Sequence, residues 1–449
     1  MRRIHCAKTL TLGSAVLIAL LLVTAARPLG GMAGALGAAQ DNRAPGNFYL
    51  KDGDRVVFYG DSITDQRLYT TFVVTYVVTR FPRLKVSFVH SGWGGDRVTG
   101  GGGGPIDVRL RRDVIAYRPS VMTIMLGMND ASYRPYDAQI FSTYAEGYRH
   151  ILSVVKSALP GVRVTLIEPS PFDDVTRPPQ FEGGYNAVLV RYGEFVKQLA
   201  EREGLTVADM NAPVVAALQK ANAERVRSAK DGLDADLAQK IVPDRVHPGP
   251  GGHLLMAEAL LKAWHAPATV SAVEIDAPST RVVQAENTTV TGLDSANGVA
   301  WTQTDDALPM PVNPLNDPVV ALAVRSSDFV EALDREELKV IGLSAPRYDL
   351  KIDGEEVGTF SNQQLGEGIN LAVLATPMAK QAMAVHELTL KHNNIHFARW
   401  RQIQVPLEKE ESPHKEGALQ TLDLLESDLI LEQRATAQPK ARRYSLTPQ

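Results

Sequence analysis

Four short segments of this 449-residue chain carry residue types that together could attack an acyl group. The first is Gly60-Asp61-Ser62-Ile63-Thr64, directly after the apolar run Val56–Tyr59. A serine there leaves the carboxyl end of a strand and enters a turn. Gly60 permits tight geometry, and a following helix offers backbone N–H groups to developing negative charge. The second is Asp244-Arg245-Val246-His247. A serine hydroxyl needs a base to take its proton, and histidine suits that task near neutral pH. The imidazole in turn needs a carboxylate to fix its tautomer, so Asp three residues before His can supply base and orienter from one loop. The third and fourth are Ser91-Gly92-Trp93-Gly94-Gly95-Asp96 and Gly127-Met128-Asn129-Asp130. Attack on an ester carbonyl builds an oxyanion, which needs donors already aimed at it; a glycine N–H and an asparagine amide are such donors.

Each segment also has a plainer reading. Asp61 or Ser62 is a favoured helix N-cap, Asp244 and His247 read as a surface pair in a turn, and Gly95 suits an ordinary tight turn. Asn129 reads as a loop cap, and Asp130 is assigned to bracing its loop. Other chemistries fit less well. The five glycines at 100–104 are followed by Pro105-Ile106, not by the Gly-Lys-Ser/Thr ending of a phosphate loop. Gly92 to Arg97 does not complete a dinucleotide fingerprint, because Arg97 stands where the last glycine belongs. The glycine run reads as a mobile loop at the rim of the site or as a plain flexible connection. Asp244, His247 and His253 lack the i, i+4 pair of a helical zinc motif; His392 and His396 have that spacing without its central Glu. No metal and no cofactor is expected. The absence of Gly-x-Ser-x-Gly speaks against an α/β-hydrolase nucleophile elbow.

The elements that must position these residues alternate. Apolar strand candidates are Val56–Tyr59, Val86–His90, Val121–Leu126, Val162–Ile167 and Leu205–Ala208. Between or after them, Tyr69–Arg80, Asp137–Ala158, Tyr185–Glu203 and Pro250–His265 have helical spacing. Alternation of this kind implies a parallel sheet covered on both faces, with ligands bound beyond the carboxyl ends of its strands. After His265 the composition changes. Tyr348–Ile352, Asp353-Gly354 and Val357–Phe360 spell a hairpin, and Thr376-Pro377 reads as an N-cap with Pro at the first helical position. A helix to about Trp400 and another near Glu416–Glu432 follow, with apolar positions that need a partner surface. These helices are expected to pack back on the first domain, with the β-rich part standing off, and to supply no catalytic group.

Together the four segments resemble the SGNH (GDSL-type) hydrolase family, with all four blocks in family order over roughly residues 54–265. The resemblance implies a catalytic triad of Ser62, Asp244 and His247, with an oxyanion hole from the Ser62 N–H, the Gly95 N–H and the Asn129 side chain. It also implies a three-layer α/β/α, flavodoxin-like fold around a five-stranded parallel sheet, to which this chain adds a C-terminal β-rich module and helices. Ser91 departs from the family's usual Asn, which leaves Gly94 as the alternative to Gly95.

The N-terminus carries Arg2, Arg3 and Lys8 before the uncharged apolar run Thr9–Ala26, and small residues lead through Gly37-Ala38-Ala39. That is a signal-peptide pattern, with an uncleaved anchor as the alternative. The only cysteine, Cys6, precedes the apolar run, so a mature chain has no disulfide and no thiol nucleophile. Beyond residue 39, 43 basic residues face 51 acidic ones, which argues against a nucleic-acid partner. The expected divisions are 1–39 signal peptide, 40–53 linker, 54–267 hydrolase domain, 268–375 β-rich module, 376–433 helices and 434–449 disordered tail. The expected function is that of an exported serine esterase on small acyl groups, with acylated carbohydrate as a candidate substrate and no stable membrane insertion once the signal is removed. A lysophospholipase or thioesterase, and a non-catalytic binding protein, are the alternatives.

Overall fold

The computed structural model describes residues 47–228, 236–312 and 317–449. The signal peptide expected over 1–39 and the first part of the expected linker lie outside them. The end of that linker is packed: Phe48 and Leu50 are buried, Phe48 lies 4.7 Å from Phe81, and Tyr49 stacks on Trp264. Three apolar residues in a row give this stretch a reason to dock.

The first domain runs β1 (Arg55–Gly60), α1 (Ser62–Asp65), α2 (Leu68–Arg80), β2 (Ser87–Gly92), the two-residue strands β3 (Gly100–Gly101) and β4 (Gly104–Pro105), and α3 (Ile106–Asp113). There follow β5 (Val121–Met125), α4 (Ala138–Ala158), β6 (Arg163–Ile167), α5 (Gly184–Glu203), β7 (Thr206–Ala208), α6 (Ala212–Ser228) and α7 (Pro250–Ala263). The five longer strands form one parallel sheet in the order β2-β1-β5-β6-β7. These are the five expected strands, and β1, β5 and β6 are mostly apolar and buried because helices cover both faces. On one side α4 and α5 interlock through Phe141, Tyr144, Tyr192 and Phe195. On the other, α2 meets α7 where Tyr69 stacks on His253. Register does the positioning: Gly60 pairs with Gly92 on one side and Met125 on the other. The loops leaving β1, β2 and β5 therefore emerge side by side at one edge.

The remaining strands are β8 (Thr269–Asp276), β9 (Arg281–Glu286), β10 (Thr288–Asp294), β11 (Val299–Asp305), β12 (Arg335–Ile341), β13 (Arg347–Ile352), β14 (Glu355–Ser361), β15 (Ile369–Asn370) and β16 (Arg442–Pro448). They form two sheets, β10-β11-β16-β13-β14 and β15-β12-β8-β9, around a second core that includes Trp301, Leu350, Ile352, Tyr444 and Leu446. The final residues are thus a correction to the expected disordered tail. Arg442–Pro448 lies between β11 and β13, with Tyr444 and Leu446 buried and Tyr444 stacked 5.0 Å from Trp301. Two apolar residues at period two, set among Arg, Ser, Thr and Pro, were too few to stand out as a strand.

The expected 268–375 module is also not purely β-rich. Helices α8 (Pro318–Ser326), α9 (Phe329–Leu333) and α10 (Asn362–Glu367) interrupt it. Met310, Val312, Leu322, Phe329 and Leu333 join the first core, not the second. Helix α11 (Pro377–Phe397) is capped by Thr376, whose hydroxyl accepts from the Ala379 N–H. It continues into a π-helical turn, Ala398–Gln404, and α12 (Pro413–Thr436) folds back along it. Helix α11 lies on α2: Asn393 Nδ2 donates to Thr71 Oγ1 at 2.9 Å, and the His386 ring packs 4.8 Å from Phe72. Among the described residues no helix is long and apolar enough to cross a membrane.

Candidate active site

Ser62 is the first residue of α1, where the backbone N–H has no intrahelical acceptor. Asp61 is the N-cap; its buried carboxylate accepts from the Ile63 N–H at 3.0 Å. Burial pushes the Asp61 carboxyl up to about 7, against the pull of that hydrogen bond. At Gly60 a Cβ would lie 2.2 Å from Thr64 Oγ1 and 2.8 Å from the Met125 carbonyl, so the close approach of β1, α1 and β5 excludes any side chain.

The loop before α7 brings His247 to this turn. Its Nε2 lies 2.9 Å from Ser62 Oγ, and its Nδ1 lies 2.7 Å from Asp244 Oδ2. With the Nδ1–H of His247 donating to the Asp244 carboxylate, Nε2 is free to accept from the serine hydroxyl. The other Asp244 oxygen accepts from the Val246 and His247 N–H groups at 3.0 and 2.7 Å. Burial raises the Asp244 carboxyl, but those bonds and the His247 ring outweigh it and hold the group below its ordinary value. Arg245 between them adopts left-handed backbone (φ 72°), and its guanidinium is tied to the Pro178 carbonyl at 2.9 Å. Arg177 braces the same loop from the β6 side, donating to the Val242 and Pro243 carbonyls while paired with Asp173.

Gly95 and Asn129 sit on the loops leaving β2 and β5, the two strands paired with β1. The Gly94 N–H is engaged, donating to Asp65 Oδ2 at 3.2 Å. The Asn129 amide donates to the Asp96 carbonyl at 3.2 Å, and its Oδ1 accepts from the Tyr133 hydroxyl at 3.1 Å. One amide N–H therefore remains. Asp130 braces the neighbouring loop by accepting from the Val98 N–H at 2.9 Å; burial raises its carboxyl to about 7.

The five-glycine run, expected as a mobile rim loop or a plain connection, is placed in regular structure. It forms the tight β3–β4 hairpin, in which a Cβ at Gly103 would collide with the Trp93 ring and Arg109. Glycine there is a packing requirement. His253 is buried, with Nδ1 accepting from the Tyr69 N–H and Nε2 against Gln66 Oε1. His392 lies beside Gln433, and His396 faces Glu426 at 3.7 Å.

Sequence patterning did not single out Tyr133, Arg109 or Arg401, and it marked Trp400 only as an apolar position in need of a partner surface. Arg109 is wholly buried and donates to Asp96 at 2.7 Å, to the Ser91 carbonyl at 2.8 Å and to Asp113. Trp400 donates to Asp113 at 2.7 Å and packs edge-on to Trp93, while Arg401 stacks on the Trp93 ring. An arginine in the charged helix Ile106–Asp113 reads as solvent-facing, and nothing local announces that a segment near residue 400 will reach the second loop. Only the spacing of Tyr133, four residues after Asn129, was a usable signal.

A parallel α/β sheet whose strand ends gather a serine, a histidine and a carboxylate in one hydrogen-bonded line has the form of a hydrolase. Residues 58–255 match the GDSL-like Lipase/Acylhydrolase family, and this match supports an SGNH (GDSL-type) hydrolase domain with ester hydrolysis as its class of activity. It is 28% identical over 233 residues to an acetylxylan esterase of Geobacillus stearothermophilus, covering 47% of this chain and 94% of that one. A solved gut microbial diltiazem-metabolizing enzyme is 26% identical with a TM-score of 0.72, covering 90% of this chain and all of that one. That likeness extends beyond the hydrolase domain into the C-terminal sheets and helices. A solved acetylxylan esterase from G. stearothermophilus is 23% identical, with a TM-score of 0.37, over 48% of this chain and 96% of that one.

Proposed function

We propose that this protein is an exported serine esterase that removes small acyl groups, acetyl foremost, from hydroxylated substrates such as carbohydrate. The observation that carries the reading is the unbroken line from Ser62 Oγ through His247 to Asp244, at 2.9 and 2.7 Å. Ser62 attacks the ester carbonyl carbon while His247 Nε2 takes the hydroxyl proton, and Asp244 stabilises the resulting imidazolium. The oxyanion is received by the Ser62 and Gly95 N–H groups and the remaining Asn129 amide N–H. Collapse breaks the bond to the alcohol oxygen, which takes the proton from His247 and leaves an acyl-Ser62. Water then attacks that ester with His247 again as base, releasing the acid and restoring the serine. Carbohydrate as the alcohol is favoured by the acetylxylan esterase relative, and export by the N-terminal pattern.

A fluorophosphonate probe should label the protein at Ser62, and p-nitrophenyl esters should be cleaved fastest at acetate. Absence of both would remove the reading. Asn129→Ala should lower kcat by about 10²–10³, as for loss of one oxyanion donor. Tyr133 has a share in this. Ser132 and Tyr133 both hold left-handed backbone (φ 59° and 53°), conformations that non-glycine residues keep only when surroundings enforce them. The Tyr133 ring rests on Tyr185, 5.0 Å between centroids, and its hydroxyl fixes which way the Asn129 amide points. Tyr133→Phe keeps the ring and should lower kcat roughly five- to tenfold with KM little changed. It should add almost nothing to Asn129→Ala; equal losses in both backgrounds would show that Tyr133 acts elsewhere.

A further inference from the structure

The loop between β5 and α4 carries a tyrosine that is held more firmly than an exposed side chain requires. Tyr133 and its neighbour Ser132 adopt left-handed backbone in succession, at φ 53° and 59°. Strain of this kind persists only where the surroundings fix it, and it gathers at ligand clamps. Three contacts fix Tyr133. Its hydroxyl donates to Asn129 Oδ1 at 3.1 Å, its ring stacks on Tyr185 with centroids 5.0 Å apart, and it meets the Phe172 ring edge-to-face at 6.3 Å. Tyr185 and Phe172 are themselves buried, yet Tyr133 remains 40% exposed. One face of the ring covers Tyr185, so the exposed part is the opposite face. It is a flat apolar surface, fixed in orientation and open to solvent.

That surface lies between two loops that handle the ester. At one end Tyr133 is bonded to Asn129, whose remaining amide N–H is assigned to the oxyanion. At the other, Phe172 lies under the Arg245 guanidinium, 5.8 Å from the ring centroid, and the Asp173 N–H donates to the Arg245 carbonyl at 2.9 Å. Arg245 stands between Asp244 and His247. The departing alcohol oxygen takes its proton from His247, so the stretch between Asn129 and the His247 loop belongs to the alcohol, not to the acyl group. The neighbourhood is open: the His247 and Asp244 side chains keep 35% and 56% of their exposure. An alkyl chain gains most from an enclosed apolar pocket. A single open aromatic face among polar groups suits a ring with C–H groups on one side and hydroxyls around its edge.

We propose that the open face of Tyr133 is the platform on which a sugar ring of the alcohol stacks, making Tyr133 a specificity-determining residue as well as the one that orients Asn129. This rests on Ser62 being the nucleophile of an esterase. Tyr136 serves as an internal control. It is on the same loop and equally exposed, but its ring packs on Phe141 of α4 at 5.7 Å and under Arg191 of α5.

The test compares a methyl hexopyranoside acetylated at its primary hydroxyl with 2-methoxyethyl acetate, an acyclic ester of similar leaving ability, using the full chain. Wild type should favour the glycoside acetate by about five- to tenfold in kcat/KM. Tyr133→Phe keeps the ring and should keep that preference, while lowering kcat on both esters alike through Asn129. Tyr133→Leu removes the flat face without adding a branched Cβ, and should shrink the preference to about twofold, through KM. Tyr136→Leu should leave the preference as in wild type. A wild-type enzyme indifferent between the two esters would overturn the platform without any variant. So would a Tyr133→Leu enzyme that keeps this preference, or one that changes only the choice between acetate and butyrate, which would put the ring on the acyl side. Failure of the parent reading looks different: wild type would then neither cleave p-nitrophenyl acetate nor label at Ser62.

Discussion

Ser62→Ala is expected to lower kcat for p-nitrophenyl acetate by roughly 10⁴–10⁶ and to abolish fluorophosphonate labelling, with little change in folding. The Ser62 hydroxyl is bonded to the His247 ring, and no other side-chain hydrogen bond to it occurs among the described residues, so its removal leaves α1 and its Asp61 cap intact. His247→Ala should cost about as much, because the hydroxyl without its base is a poor nucleophile. The double variant should be scarcely worse than either single one, since residues that act as a unit are non-additive. Asp244→Ala should cost less: the ring keeps its contact with Ser62 but loses the bond that fixes its tautomer. The measurement is steady-state kinetics on purified variants, with thermal unfolding to show that each is folded. A purified Ser62→Ala enzyme with wild-type turnover would eliminate the triad mechanism outright.

What made this site legible was its placement on short, locally determined features. Ser62, Gly95 and Asn129 each follow an apolar strand that stands out by composition, and Asp244 and His247 lie within four residues of each other. Strand order then did the rest, because β1 pairs with both β2 and β5. Features that depend on contacts between distant parts of the chain were not legible. Arg109 is buried only because Asp96, Asp113 and the Ser91 carbonyl surround it. Strand β16 exists because β11 and β13, both distant in sequence, leave a place between them for Tyr444 and Leu446. The glycine run looked like slack chain, since nothing in five glycines says that an indole and a guanidinium will press on them. In each case tertiary context overrode a correct local rule about charge, polarity or flexibility.

Ending the chain at residue 267 is expected to remove most soluble protein, and the reason lies in α2. Residues Tyr69 to Arg80 of this helix are all buried, so it needs cover on every face. Strand β1 and helix α7 supply part of that cover, and α11 supplies another, through Asn393 on Thr71, His386 on Thr75 and the His386 ring on Phe72. At its C-terminal end, Arg80 donates to the Pro267, Thr269 and Leu333 carbonyls and lies 3.7 Å from Asp334. A truncated chain keeps only the first of these partners. It would expose a contiguous apolar face of the kind that drives association, and it would lose Trp400 and Arg401, which lie against Trp93 in the loop after β2. Soluble yield, size-exclusion profile and thermal unfolding are the measurements. A monomeric truncation that melts cooperatively within a few degrees of the full chain would show that the C-terminal region is dispensable to the fold. A point change tests the same dependence on a smaller scale. Trp400 is almost wholly buried against Trp93 and donates to Asp113, so Trp400→Ala should cost about 3–5 kcal/mol of stability. Because that loss comes from a residue nearly three hundred positions from Asp113, a large effect would place the C-terminal helices within the hydrolase fold, and a negligible one would leave them as an appendage.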